Sequence, residues 1–130
     1  MELLNCQLPP LHKLHSGKVR EIFDLASLGF PDRLLLVATD RLSAFDCILP
    51  NAIPGKGRVL NQLSHFWFEQ LSFVPNHFIE ADVMKYPSEL LPYQEILEGR
   101  SMMVKKTTPL PLECVVRGYL AGSGWQEYQH

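Results

Sequence analysis

From Leu34 to Ala38 the chain carries no polar side chain, and the run 33–39 closes on Thr39. A strand wetted on one face alternates apolar and polar residues, so an unbroken run of this kind fits a strand buried on both faces. Upstream, Leu11-His12-Lys13-Leu14 and Val19-Arg20-Glu21-Ile22-Phe23 are two strand-like runs around His15-Ser16-Gly17-Lys18, a turn signal. Downstream, Asp40 to Asp46 reads as a polar loop, followed by Cys47-Ile48-Leu49-Pro50, and Pro54-Gly55-Lys56-Gly57 interrupts regular structure. Val59, Leu60, Leu63, Phe66, Trp67 and Leu71 recur at helical spacing, which predicts an amphipathic helix over 58–73 that ends before Pro75-Asn76. A second strand pair is predicted at 101–105 and 112–116, joined by the stiff proline-containing connector 107–111. The expected fold class is α+β: one domain over residues 1–130 with a mainly antiparallel sheet and that helix packed on it.

Composition removes several functions. With 12 basic residues against 14 acidic ones the net charge is -2, without the basic excess of a general nucleic-acid surface. Cys6, Cys47 and Cys114 are odd in number and far apart, which suggests neither a disulfide framework nor a zinc site. The five histidines show no metal-ligand spacing, and no Gly-x-Ser-x-Gly elbow points to covalent hydrolysis. The apolar runs fall far short of a membrane span and the first residues lack a basic leader, so a cytoplasmic protein is expected, with no membrane or nucleic-acid partner.

Binding chemistry concentrates in a few segments. Residues 111–125 join an apolar stretch, Arg117 and the Gly122-Ser123-Gly124 turn that opens a helix. An arginine fork and a helix start both suit a phosphate, and Ser123 with Gln126 has capping-box spacing, so Ser123 is expected at the N-cap. The plainer alternative is a surface cation beside an ordinary loop. Gly17 allows close backbone approach, with Lys18 and Arg20 on one face of the following strand, as in loops over nucleotide phosphates; a hairpin with solvated charges is the alternative. Thr39 to Asp46 packs two acids, an arginine and two hydroxyls into a loop after a buried strand, either as a binding loop or as an Arg41 ion pair with Asp40 or Asp46 that only shapes it. Lys56 sits in a cationic turn without P-loop spacing, and of Lys105 and Lys106 strand alternation sends one inward. His65 and the aromatics Phe66, Trp67 and Phe68 read as packed helix residues.

These segments, in this order, resemble the SAICAR synthetase family of de novo purine biosynthesis, from about His12 to the last residue, and the block from Pro111 to Ser123 is the most specific. The resemblance implies an ATP-dependent ligation of the carboxylate of carboxyaminoimidazole ribonucleotide to the amine of L-aspartate, giving SAICAR, ADP and phosphate through an acyl phosphate. It implies a kinase-like architecture in which this chain is the N-terminal lobe and the start of the next. By resemblance Gly17, Lys18 and Arg20 cover the ATP phosphates, and Lys105, Leu112 and the connector line the adenine. Arg117 and Ser123 hold the ribonucleotide 5′-phosphate, and Asp40, Arg41, Ser43, Asp46 and Lys56 line the substrate side. Family members run to more than twice this length, so Mg²⁺ ligands are expected in a part this chain lacks, and a fragment inactive by itself, prone to self-association, is expected. The alternatives are a non-catalytic phosphate-binding module and an interaction fragment.

Overall fold

A computed structural model describes residues 2–112 and 114–130. In chain order the elements are β1 (His12–Ser16), β2 (Arg20–Asp24), β3 (Arg33–Ala38), β4 (Ser43–Ala44), β5 (Cys47–Ile48), α1 (Lys56–Gln70), β6 (Phe78–Glu80), α2 (Gln94–Leu97), β7 (Ser101–Lys105) and α3 (Ser123–Tyr128). Short 3-10 turns at Ala26–Leu28, Val83–Lys85 and Ser88–Tyr93 fill the gaps. Five strands form one antiparallel sheet in the order β1-β2-β3-β7-β6, and β4 pairs with β5 as a separate small hairpin. The fold is α+β.

β3 lies at the centre of this sheet, and strand alternation divides its apolar run between two cores. Phe23, Leu35 and Met103 stand opposite one another across three strands and face the larger core, which Cys6, Leu8, Leu11, Leu25, Val83, Tyr86, Leu90 and Leu97 complete. On the reverse face Leu36 and Met102 pair across β3 and β7, with Val104, Ile22, Phe68 and Phe78 around them. Both faces of β3 are therefore dry, as its composition predicts.

Helix α1 crosses that reverse face in an orientation opposite to the one its sequence suggests. Its only fully buried residues are Gly57 and Asn61, while Val59, Leu63, Phe66 and Trp67 are each about half exposed. Contact chemistry explains the inversion. A Cβ at Gly57 would lie 2.4 Å from the carbonyl oxygen of Ala38, so only glycine lets the helix start this close to β3. Asn61 donates through Nδ2 to the carbonyl oxygens of Gly99 (3.3 Å) and Ser101 (3.1 Å), satisfying backbone at the start of β7. The apolar stripe points outward as a result.

The predicted strand at 112–116 is corrected. Its described residues, 112 and 114–116, are irregular and exposed, and Glu113 lies outside the described residues. β7 already pairs with β3 on one edge and β6 on the other, which leaves no edge for a further strand. From Lys105 onward the described residues are exposed except Gly124, which is intermediate.

One carboxylate ties the ends of these elements together. Asp40, fully buried just past β3, accepts from the N–H of Leu3 (2.8 Å) and from Arg100 (2.9 Å) through Oδ2, and from the N–H of Gly57 (2.9 Å) through Oδ1. Gly55 at the start of α1 has no side chain to cap it, so Asp40 caps the helix from outside and places negative charge at its positive end. Burial alone would push this carboxyl up, but the N–H bonds from Leu3 and Gly57 and the Arg100 guanidinium hold it below the ordinary aspartate value.

Two outcomes follow. Gly57→Ala, normally favourable in a helix by about 1 kcal/mol, is expected to destabilise by roughly 1 to 3 kcal/mol because backbone, not a movable side chain, blocks the new methyl; the shift in urea midpoint measures it. Asp40→Asn is expected to cost about 3 to 5 kcal/mol by stranding Arg100. Because Asp40 titrates lower in the folded state, its contribution is complete above the ordinary aspartate range and fades as pH falls through that range and below. Acid unfolding curves of the variant should lose that part of the wild-type pH dependence.

Candidate functional site

The β1–β2 hairpin turns at Gly17, whose N–H reaches the carbonyl of Arg20 at 2.8 Å. Here the backbone carbonyls are engaged from behind. Arg41 donates from Nη2 to Gly17 O (2.7 Å) and from Nε to Lys18 O (3.1 Å). Val19 O takes both the N–H (3.0 Å) and the hydroxyl (2.8 Å) of Thr39. The remaining Arg41 nitrogen, Nη1, donates to Leu4 O (3.0 Å) and to Glu21 Oε1 (2.6 Å).

Arg41 is thus buried and spends its whole fork inside the protein. Of the two partners considered for it from sequence it takes neither: Asp40 pairs with Arg100, and Asp46 pairs with Lys18. Glu21 is fully buried on the same strand face as Phe23. Burial would raise its carboxyl, yet the Arg41 hydrogen bond and the charges of Arg41 and Lys13 hold it below the ordinary glutamate value. Its Oε2 accepts no hydrogen bond, with Lys13 Nζ 3.4 Å away.

Residues 43–48, read from sequence as the end of a polar loop and a short apolar run, fold as the hairpin β4–β5. Phe45 and Asp46 form its turn with φ of 50° and 62°, the left-handed pair that a tight two-residue turn needs. Phe45 is fully exposed there. Asp46 accepts from Lys18 Nζ at 2.5 Å, which joins this tip to the Gly17 turn and lowers the aspartate through that bond and charge. Ser43 is partly buried in β4, and Lys56 is the first, half-buried residue of α1.

Arg117 and Ser123 meet directly: Nη2 donates to Oγ at 2.9 Å on an exposed surface. The predicted cap is corrected. Gly122, at φ 59° and ψ −134°, is the N-cap of α3, and Ser123 makes no capping bond. Arg117 has claimed its hydroxyl, and the backbone at 122 suits glycine. A Cβ at Gly124 would sit 3.4 Å from Arg117 Cδ and Nε, so the arginine stem lies across the first turn of α3.

The remaining candidates are dispersed. Arg20 is exposed, Lys105 stands exposed at the end of β7, and Leu112 is exposed in the segment beyond it. It is Lys106 that finds a carboxylate, Asp24, at 2.8 Å. Two clefts, of about 400 and 360 Å³, lie elsewhere: one between α1 and β6 around His65, Glu80 and Lys85, the other between the N-terminal segment and Arg58 and Arg100. Among the described residues no three of His, Cys, Asp and Glu converge as a metal site, and no helix is long and apolar enough to cross a membrane.

Sequence reasoning overlooked Glu21, Arg100 and Asn61. Only Glu21 carried a signal: alternation with Phe23 and Leu25 places an acid on the inward face, where it needs a cation. The partners of Arg100 and Asn61 lie 60 and up to 40 residues away, beyond any local pattern.

A family model described as SAICAR synthetase matches residues 13–130. The phosphoribosylaminoimidazole-succinocarboxamide synthase of Desulfosudis oleivorans is 58% identical over 122 residues, which cover 93% of this chain and 40% of that protein. Its counterpart in Desulforapulum autotrophicum is 50% identical over 129 residues, covering 98% of this chain and 42% of that protein. A solved SAICAR synthase superposes with a TM-score of 0.85 at 42% identity, and the Saccharomyces cerevisiae SAICAR synthase in complex with SAICAR with 0.84 at 41%; each comparison covers 98% of this chain and 44% of the other. The chain spans about two fifths of the length of the curated relatives it matches. It belongs to the SAICAR synthetase family.

Proposed function

We propose that this chain is the ATP-loop and phosphate-binding portion of an ATP-dependent ligase that joins carboxyaminoimidazole ribonucleotide to L-aspartate to give SAICAR, ADP and phosphate. The observation that carries this reading is the Arg117–Ser123 contact at the start of α3, which sets a guanidinium and a hydroxyl side by side in the open. A phosphate monoester accepts from both: the arginine supplies charge and a planar fork, the serine a further donor. The Gly17 turn, with exposed Lys18 and Arg20, supplies cations for a triphosphate.

A carboxylate is a poor electrophile, so amide formation at the expense of ATP runs most simply through an acyl phosphate that the aspartate amine attacks. Such a reaction asks the protein chiefly for positioning and for neutralisation of phosphate charge. In this reading Lys18 and Arg20 face the ATP phosphates, and Lys105 and Leu112 with the neighbouring connector border the adenine. Ser43, Asp46 and Lys56 border the substrate side, where Asp40 and Arg41 act from the interior as its frame. Mg²⁺ would accompany ATP, but the described residues do not compose a site for it, and no step here runs through the metal.

Calorimetric titration of the chain tests the assignment. Arg117→Ala is expected to weaken carboxyaminoimidazole ribonucleotide by about 2 to 5 kcal/mol and Ser123→Ala by roughly 1 kcal/mol, with ATP binding unchanged. Lys18→Ala should show the reverse preference. An Arg117→Ala variant that loses only ATP, or loses melting temperature with both affinities intact, would refute the phosphate role.

The outward apolar side of α1 favours one further outcome. Val59, Leu63, Phe66 and Trp67 form a stripe that water wets poorly, so we propose that the chain self-associates through it. Sedimentation velocity should show concentration-dependent assembly that Leu63→Lys with Trp67→Glu abolishes; a monomer at every concentration would contradict this.

A further inference from the structure

We infer that Arg41, held by Glu21 and assisted by Thr39, is a positioning residue that turns the backbone N–H groups of Lys18 and Val19 outward as an anion cradle. The inference rests on the phosphate reading of the Gly17 turn and deepens it. Three successive carbonyls, those of Gly17, Lys18 and Val19, are drawn toward the buried Thr39 and Arg41 by four hydrogen bonds of 2.7 to 3.1 Å. In a planar trans peptide the C=O and the following N–H point in opposite directions. Fixing the carbonyls of Gly17 and Lys18 inward therefore turns the N–H groups of Lys18 and Val19 away from the protein. Among the described residues neither N–H has a backbone acceptor. Two adjacent free N–H groups in a tight turn form a concavity for phosphate oxygens, and the same bonds keep three carbonyl oxygens, which would repel phosphate, out of that space.

Glu21 completes the arrangement by holding the guanidinium. Its Oε1, 2.6 Å from Nη1, fixes the plane of the guanidinium so that Nε and Nη2 meet two consecutive carbonyls together. A lysine could neutralise Glu21 but could not span both. Arg41 on this account does not contact ATP; it sets the shape of what does.

Hydrogen exchange of the ligand-free chain, combined with titration of ATP, tripolyphosphate and adenosine, tests this. Arg41→Lys should speed exchange of the Gly17 amide, bonded to Arg20 O, and of the Thr39 amide, bonded to Val19 O, by about tenfold, the scale of one or two lost hydrogen bonds, while amides of β3 and β7 stay as they are. ATP and tripolyphosphate should weaken by about the same factor and adenosine should not. Thr39→Val, which deletes one bond to the turn and keeps the shape, should act in the same direction more weakly, and Thr39→Ser should restore the wild-type behaviour. Arg100→Lys serves as the control, a buried pair that does not reach the turn. Unchanged exchange at Gly17 and Thr39, a uniform loosening like that of the control, or a loosened turn with intact tripolyphosphate affinity would each overturn the inference. If the wild-type chain binds neither ATP nor tripolyphosphate, the phosphate reading fails, and the exchange pattern still decides whether Arg41 shapes the turn.

Discussion

At the end of β3 two opposite charges enter the interior side by side, and they do not pair with each other. Asp40 reaches toward the N-terminal segment, α1 and the start of β7; Arg41 reaches toward the Gly17 turn and β2. Removing an ion from water costs several kcal/mol even after relaxation, and only near-complete hydrogen bonding offsets it. That requirement makes the pair an organiser. Asp40 accepts three bonds and Arg41 donates four, so the segments carrying their partners have little freedom to move independently.

The same junction accounts for the unusual seating of α1. An apolar helix face ordinarily finds the sheet because burial of each large side chain contributes roughly 1.5 to 3 kcal/mol. Here the helix start is fixed first by Asp40 at Gly57 and by the contact of Gly57 with Ala38, and Asn61 one turn later closes on the β7 backbone. With positions 57 and 61 inward, helical geometry leaves Val59, Leu63, Phe66 and Trp67 no route to the sheet. Phe68 is the large residue that still reaches the core on that side, stacked with Phe78.

How much of this was legible in the chain depends on the range of the interaction that decides it. The two-sided burial of β3, the Gly17 hairpin and the existence of α1 follow from local periodicity, and all three are present. The face of α1 does not, because a glycine contact and an amide bond to residues 99 and 101 outweigh the apolar stripe. The strand expected at 112–116 had suitable side chains, but its expected partner β7 has both edges taken by β3 and β6, a fact of topology rather than of composition. At Ser123 the local capping pattern pointed to the wrong residue: Gly122 is the N-cap, and the Ser123 hydroxyl accepts from a side chain six residues earlier. The candidate residues of the polar loop split in a way no motif displays: Asp40 and Arg41 are interior, Asp46 is at an exposed tip.

That split has a chemical logic. In the reading proposed above, Lys18 and Arg117 are the groups that meet a ligand, and their present bonds to Asp46 and Ser123 lie exposed, where they exchange readily with solvent. The interior groups Asp40, Arg41 and Glu21 are instead paired with opposite charges inside the fold, since an unpaired buried charge would be too costly. Asp40 and Glu21 also share a response to acid. Both carboxyls are held below their ordinary values by partners that are present only in the folded chain. Their contribution is therefore whole at neutral pH and falls away as pH drops through the carboxylate range and below, so the turn held by Arg41 and the helix start held by Asp40 are both expected to loosen in acid.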